Sequence, residues 1–285
     1  MKLSLEDLGW MKKIPTYHFY EAKNNFNMTA AQPHEEHYGG TIHWFPSDTE
    51  ERYLGHLKFN RNARMLEENG WIDKQIDYHL GIQGFRHDGT QPDVTSERGG
   101  VIWLGDSNTF GTGMEIERTW PWICHHSNEI TKDLRYINFG CPGFGIDTYY
   151  RILKFYINDV KPDYVIMTNP WITTRAEVYN VHGHWGVMTP NDDASYAEHH
   201  HVFSNQASMI RWVKNLDAIK WLCHSNEVDL LAVEEDVDDS YRDSIVGNFD
   251  TEFRIEDMSR ELSHQGSKAH AHNANVLRDL MEYAL

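Results

Sequence analysis

From Val101 onward the chain alternates short apolar runs with segments whose apolar residues recur at helical spacing, and that alternation leaves few architectures open. A chain that passes repeatedly from strand to helix to strand builds a parallel sheet, because each crossover must return it to the start of the next strand. "VIWL" (101–104), "RYINF" (135–139), "DYVIM" (163–167) and "DLLAV" (229–233) read as the strands. "TWPWICHHSNEI" reads as a helix with Thr119 as N-cap and Pro121 in its first turn. Asp147 is the expected cap of "TYYRILKFYIND", where Tyr149, Ile152, Leu153 and Tyr156 recur at helical spacing. "QASMIRWVKNLDAIKWLCHS" puts Met209, Trp212, Val213, Leu216, Ile219 and Leu222 on one side. Ser267 is the expected cap of a last helix presenting Ala271, Ala274, Leu277, Met281 and Ala284. Right-handed crossovers would wind these units into an α/β fold, a three-layer α/β/α sandwich around a doubly wound parallel sheet.

Before residue 95 no period is sustained, and aromatic clusters, "EENGW" and "IDYHLGIQGFRHDGT" follow one another irregularly. The expected division is an N-terminal appendage, 1–95, packed on an α/β domain, 96–285. The Trp-rich and His-rich stretch from 169 to about 205 also lacks a sustained period. It is expected to run over the strand ends, where loops carry function.

In a parallel sheet the loops leaving the carboxyl ends of the strands gather on one edge and form the ligand crevice. "VIWLGDSNTFGTG" (101–113) places Asp106 and Ser107 on that edge. Two chemistries fit. In the first, Ser107 is a nucleophile, which requires a His to take its proton, an acid to orient that His, and donors for the developing oxyanion. Glycines in "NFGCPGFG" let backbone N–H groups turn towards a reacting centre, with Gly143 one candidate donor. Asn169 follows the third strand as a side-chain donor, and Pro170 stops the strand. "RELSHQGSKAH" places His264 in a loop before the last helix with Glu261 three residues earlier. In the second chemistry, "SNTFGT" holds the phosphate of a flavin nucleotide, as in flavodoxin-like electron carriers, and His264 and Glu261 have no part.

These segments resemble, block by block, the SGNH, or GDSL, hydrolase family. "GDSNTFG" resembles its first block and carries over Ser107 as nucleophile and first oxyanion amide. "NFGCPGFG" resembles the second, with Gly143 as donor, "TNP" the third, with Asn169, and "ELSH" the last, with His264 as base. The likeness spans about residues 76 to 275, since "YHLGIQGFRHDG" is similar to the lead-in of members that act on acylated carbohydrate. Where the family has Asp three places before the His this chain has Glu261, with Asp257 as the other candidate acid. Where the family has Gly-x-Asn-Asp this chain has "MTNP". The resemblance implies a serine ester hydrolase, an esterase or deacetylase working through an acyl-enzyme without a cofactor on a small-molecule or carbohydrate ester. Sugar rings stack on aromatic faces, so Trp171 and Trp185 are candidates for lining the crevice, whereas Trp212 falls on an apolar helix face and belongs to the core. The departures keep a further reading open: a non-catalytic structural or binding component of a particle or surface assembly that retains the fold.

Composition narrows the partners. With 43 acidic against 26 basic residues the formal charge is −17, which argues against nucleic acid or an anionic membrane as partner. No apolar run approaches the eighteen or so residues that cross a bilayer, and "MKLSLEDLGWMKK" lacks the apolar centre of a secretion signal. The expected location is the cytoplasm, or a particle assembled there. Cys124, Cys141 and Cys223 show no paired spacing and read as reduced, packed thiols. His182 and His184, the run His199 to His201, and His270 with His272 lack a metal-ligand frame, and "EEDVDD" reads as a solvated turn, so no metal is expected.

Overall fold

The computed structural model describes residues 39–45, 48–140, 142–143, 145–170, 176–179, 185–188, 205–235, 248–249 and 257–284. Ahead of the predicted sheet the chain forms β1 (Thr41–Ile42), α1 (Glu50–Leu57), α2 (Asn60–Glu68), β2 (Tyr78–Leu80) and β3 (Arg86–His87). The three strands pair antiparallel in the order β1-β2-β3. Part of the segment without a sequence period is therefore regular structure. Strands of two or three residues are too short for alternation to register, and the apolar face of α1 is no more than half-buried Tyr53 and Leu57, a single turn's worth of pattern.

The chain continues through β4 (Val101–Gly105), α3 (Ser107–Phe110), a 3₁₀ turn (Ile116–Arg118), α4 (Trp120–Ser127), β5 (Tyr136–Gly140) and α5 (Ile146–Val160). It then forms β6 (Tyr164–Pro170), β7 (Ala176–Tyr179), β8 (Trp185–Met188), α6 (Asn205–Ser225), β9 (Asp229–Glu235), β10 (Asn248–Phe249) and α7 (Ser267–Ala284). Among the described residues a parallel sheet holds five strands in the order β10-β9-β6-β4-β5, one strand more than the sequence pattern predicts. Read from the β5 edge, with the strands numbered along the chain from β4, this is the doubly wound order 2-1-3-4-5, whose direction reverses beside its first strand. Here that strand is β4. The crevice of such a sheet opens at the carboxyl end of β4, between β4 and β6.

β4 is buried on both faces and its side chains alternate between two cores. Ile102 and Leu104 pack with Ile152 and Ile157 of α5 and with Trp212 and Leu216 of α6. Val101 and Trp103 pack on the opposite face with Trp120 and Cys124 of α4 and Leu277 and Met281 of α7. Two helices therefore cover each face, as the three-layer expectation requires. A third core joins Phe45, Leu66, Trp71, Tyr78 and Leu80 to Phe110 and Met114, which follow Ser107 in the chain.

Several local expectations are corrected by tertiary partners. Asp147 lies inside the first turn of α5, and Gly145 holds the N-cap position. Thr119 is at the N-cap of α4, but its hydroxyl donates to Ile116 O at 2.7 Å, and the Trp120 amide donates instead to Nδ1 of buried His270 at 2.9 Å. Ser267 opens α7 rather than capping it, and the Ala269 amide finds the Asp257 carboxylate at 2.6 Å. Val213, placed on the apolar side of α6, is exposed, whereas Trp212, Leu216, Ile219 and Leu222 are buried. β7 and β8 form an antiparallel pair inside the stretch read as an excursion without period.

Cys124 and Cys223 are free and buried, and burial pushes both thiols up to about 12. Cys141, His182, His184 and His199 to His201 lie outside the described residues. Among the described residues no group of three or more His, Cys, Asp or Glu side chains could hold a metal, and no helix is long and apolar enough to cross a membrane.

Candidate active site

The chain leaves β4 through Gly105 and Asp106 and enters α3 at Ser107, which is buried. Asp106 is the N-cap of that short helix, and its carboxylate accepts the Asn108 amide at 2.9 Å. The acid at the strand end thus shapes the turn that presents the hydroxyl. Gly105 is forced by contact: a Cβ there would stand 1.9 Å from Thr109 Oγ1 and 2.7 Å from Thr168 Oγ1. Gly140, at the end of β5, lies so close under α3 that a Cβ would meet the Phe110 amide nitrogen at 2.3 Å. The far end of α3 is held by buried Arg86, which donates to Phe110 O at 3.0 Å, Gly111 O at 2.7 Å and Met114 O at 2.8 Å. A guanidinium on the last carbonyls of a helix satisfies acceptors that have no partner within it.

The loop before α7 brings His264 to this turn. Its Nε2 is 2.8 Å from Ser107 Oγ, and its Nδ1 is 2.5 Å from Glu261 Oε1. A carboxylate only accepts, so Nδ1 carries the proton and Nε2 of the neutral ring accepts from the serine hydroxyl. Glu261 is buried, which alone would raise its carboxyl, but the hydrogen bonds and charge of His264, with hydroxyl donors from Ser263 and Ser259, outweigh burial and hold it at about 2. Ser259 Oγ and the Ser263 amide donate to Oε1 at 2.9 and 3.1 Å, and Ser263 Oγ donates to Oε2. Between acid and base the backbone passes through positive φ at Leu262, 55°, an uncommon conformation for such a residue. The other candidate acid, Asp257, is committed to the start of α7 through the Ala269 amide.

Of the remaining predicted residues, Gly143 follows β5 and Asn169 stands near the end of β6, both at the same carboxyl edge. Gly143 stands exposed in the turn between β5 and α5 with φ 85°. Asn169 is described by its backbone alone, near the end of β6, two residues beyond Met167, the partner of Leu104 across β4. Trp171 lies outside the described residues, and Trp185 is described only by its backbone at the start of β8. Trp212 is core, as its helical position predicts.

Sequence reasoning missed how much of the N-terminal segment attends this site. Arg52 of α1 lies 3.3 Å from Glu261 Oε2, and His56 Nε2 is 3.2 Å from the Glu261 carbonyl oxygen. Beside them Arg260 donates to both oxygens of Asp48, at 3.0 and 2.5 Å, in a fully buried pair. Tyr78 OH donates to Asp48 Oδ2 at 2.6 Å and accepts the Gly113 amide at 2.9 Å, while the Arg260 amide donates to Gly113 O at 3.0 Å. The ring closes on itself and clasps the loop after Ser107 to the loop carrying His264. No periodicity signals such partners, because isolated polar residues 30 to 212 positions apart leave no local pattern.

No family model and no curated protein matches the sequence. Among solved structures the chain is similar to a protein assigned to the lipolytic G-D-S-L family from Desulfitobacterium hafniense DCB-2. The identity is 15% and the TM-score 0.40, over 63% of this chain and 98% of that one. It is also similar to a carbohydrate acetylesterase family member from Sinorhizobium meliloti, at 13% identity and a TM-score of 0.40, over 66% of this chain and 99% of that one. Neither likeness assigns an activity to this chain.

Proposed function

We propose that the chain is an SGNH-type serine ester hydrolase. One observation carries the reading: a single imidazole bridges a strand-end serine hydroxyl and a buried, ionised carboxylate, at 2.8 and 2.5 Å. That is the arrangement a weak nucleophile needs, since Ser107 must lose its proton as it attacks and His264 must be held in the tautomer that can take it. In the proposed cycle Ser107 Oγ adds to the ester carbonyl while its proton passes to His264 Nε2. The Glu261 carboxylate stabilises the imidazolium that results. The backbone N–H groups of Ser107 and Gly143 and the side chain of Asn169 take the oxyanion. Collapse of the tetrahedral intermediate expels the alcohol, which receives the proton from His264, and a water activated by the same imidazole then cleaves the acyl-enzyme.

The lead-in "YHLGIQGFRHDG" supports an acylated carbohydrate as the substrate class, with Trp171 and Trp185 as its stacking residues. Hydrolysis of p-nitrophenyl acetate by the full chain tests the reading. Ser107→Ala and His264→Ala are each expected to lower turnover by at least about 10³-fold with the fold retained. Near-parental rates in either variant would overturn it.

A further inference from the structure

One face of α1 is turned to Glu261 and grips it at two points. Arg52 and His56 stand four residues apart on this eight-residue helix and so share a face. The Arg52 guanidinium lies 3.3 Å from Oε2 and donates to Ser263 Oγ at 3.0 Å. His56 faces Asn62 Nδ2 through its Nδ1 at 3.0 Å, so its Nε2 carries the proton and donates to the Glu261 carbonyl at 3.2 Å. The two carboxylate oxygens divide their partners. Oε1 takes His264 Nδ1, Ser259 Oγ and the Ser263 amide, and Oε2 is left for Arg52 and Ser263 Oγ. A Glu has one more rotatable bond than an Asp, so a triad built on Glu must fix the second oxygen to keep the first on the imidazole. Of the charged and titratable groups nearby, Arg260 is paired with Asp48, and buried His270 accepts the Trp120 amide.

We propose that Arg52 is a positioning residue of the Ser107, His264 and Glu261 triad, holding Oε2 so that Oε1 stays on His264 and offsetting part of the carboxylate's pull on the imidazolium. The kinetic consequence rests on the ester-hydrolase reading. The spectroscopic one does not. Because the Arg52 side chain is 39% exposed, solvent and salt screen it and the effect is modest.

The test uses the full chain with Arg52→Gln and Arg52→Lys, followed by the low-field proton resonance of the His264 Nδ1–H, identified by its loss in His264→Ala. Arg52→Gln is expected to shift that resonance or broaden it into exchange, and Arg52→Lys to restore most of it. In Arg52→Gln kcat for an acetyl ester should fall about 5- to 10-fold with KM within about twofold. A resonance that is absent from the parental protein, or unmoved in Arg52→Gln, overturns the role whatever the rates do. A parental protein with no turnover whose resonance still moves in Arg52→Gln sinks the ester-hydrolase reading and leaves the positioning role standing.

Discussion

Glu261 Oε1 stands 2.5 Å from Nδ1 of His264, while Asp257 accepts the Ala269 amide on the first turn of α7. The two acids should therefore separate cleanly on mutation. Glu261→Gln is expected to lower ester turnover by about 10³- to 10⁴-fold, since an amide at that position favours the wrong tautomer of the imidazole. Asp257→Ala should leave turnover within a few-fold and cost about 1 kcal/mol of stability, as the loss of a helix N-terminal partner does. Initial rates and urea midpoints on both variants check this, and the reverse pattern would make Asp257 the functional acid.

Asp48 and Arg260 form a pair with both side chains at most 1% exposed, closed into a ring by Tyr78 and Gly113. Removing one partner leaves the other charge buried without compensation. Asp48→Ala should cost about 3 to 5 kcal/mol in urea unfolding, and an Asp48→Leu, Arg260→Met pair considerably less. Equal losses in the single and double variants would contradict this.

Two buried histidines set an acid limit on stability. His125 accepts from Trp103 Nε1 at 3.3 Å, and His270 accepts from the Trp120 amide at 2.9 Å. Burial holds His125 down at about 4 and His270 at about 3, against an ordinary 6.5. Between those values the unfolded chain binds the extra protons, so stability rises with pH, is complete above 6.5, and is lost as pH falls below it. At pH 5 the loss should be about 2 kcal/mol for each histidine. Glu261, with a folded value of about 2 against 4.5, loses its own contribution only as pH falls below about 4.5. Urea midpoints at pH 7.5, 6 and 5 should fall steadily, and a flat series would contradict the neutral assignments.

The parallel sheet was legible because β4, β5, β6 and β9 are apolar runs set between helical patterns, and burial on both faces demands such composition. Ser107, Glu261 and His264 were legible for a related reason: a strand end and a loop before a helix are places the fold class itself marks. Elements without a periodic apolar face were not. β2 and β3 are too short, β7 and β8 are four residues each, and α1 offers only half-buried Tyr53 and Leu57. Thr119 holds the N-cap position of α4 as expected, although its hydroxyl turns to Ile116 O, whereas Ser267 does not cap α7 because Asp257, distant in the sequence pattern, takes the Ala269 amide. Arg52 belongs with these cases, a single charge whose partner lies over two hundred residues away.

A Ser107 hydroxyl activated by the imidazole of His264 should react with serine-directed phosphonylating reagents. Treatment of the full chain with a fluorophosphonate, followed by intact mass and peptide mapping, reads that activation directly. One adduct is expected, on the peptide containing Ser107, absent in Ser107→Ala and formed at least about 10³-fold more slowly in His264→Ala. An unlabelled protein, or an adduct on another serine, would contradict it.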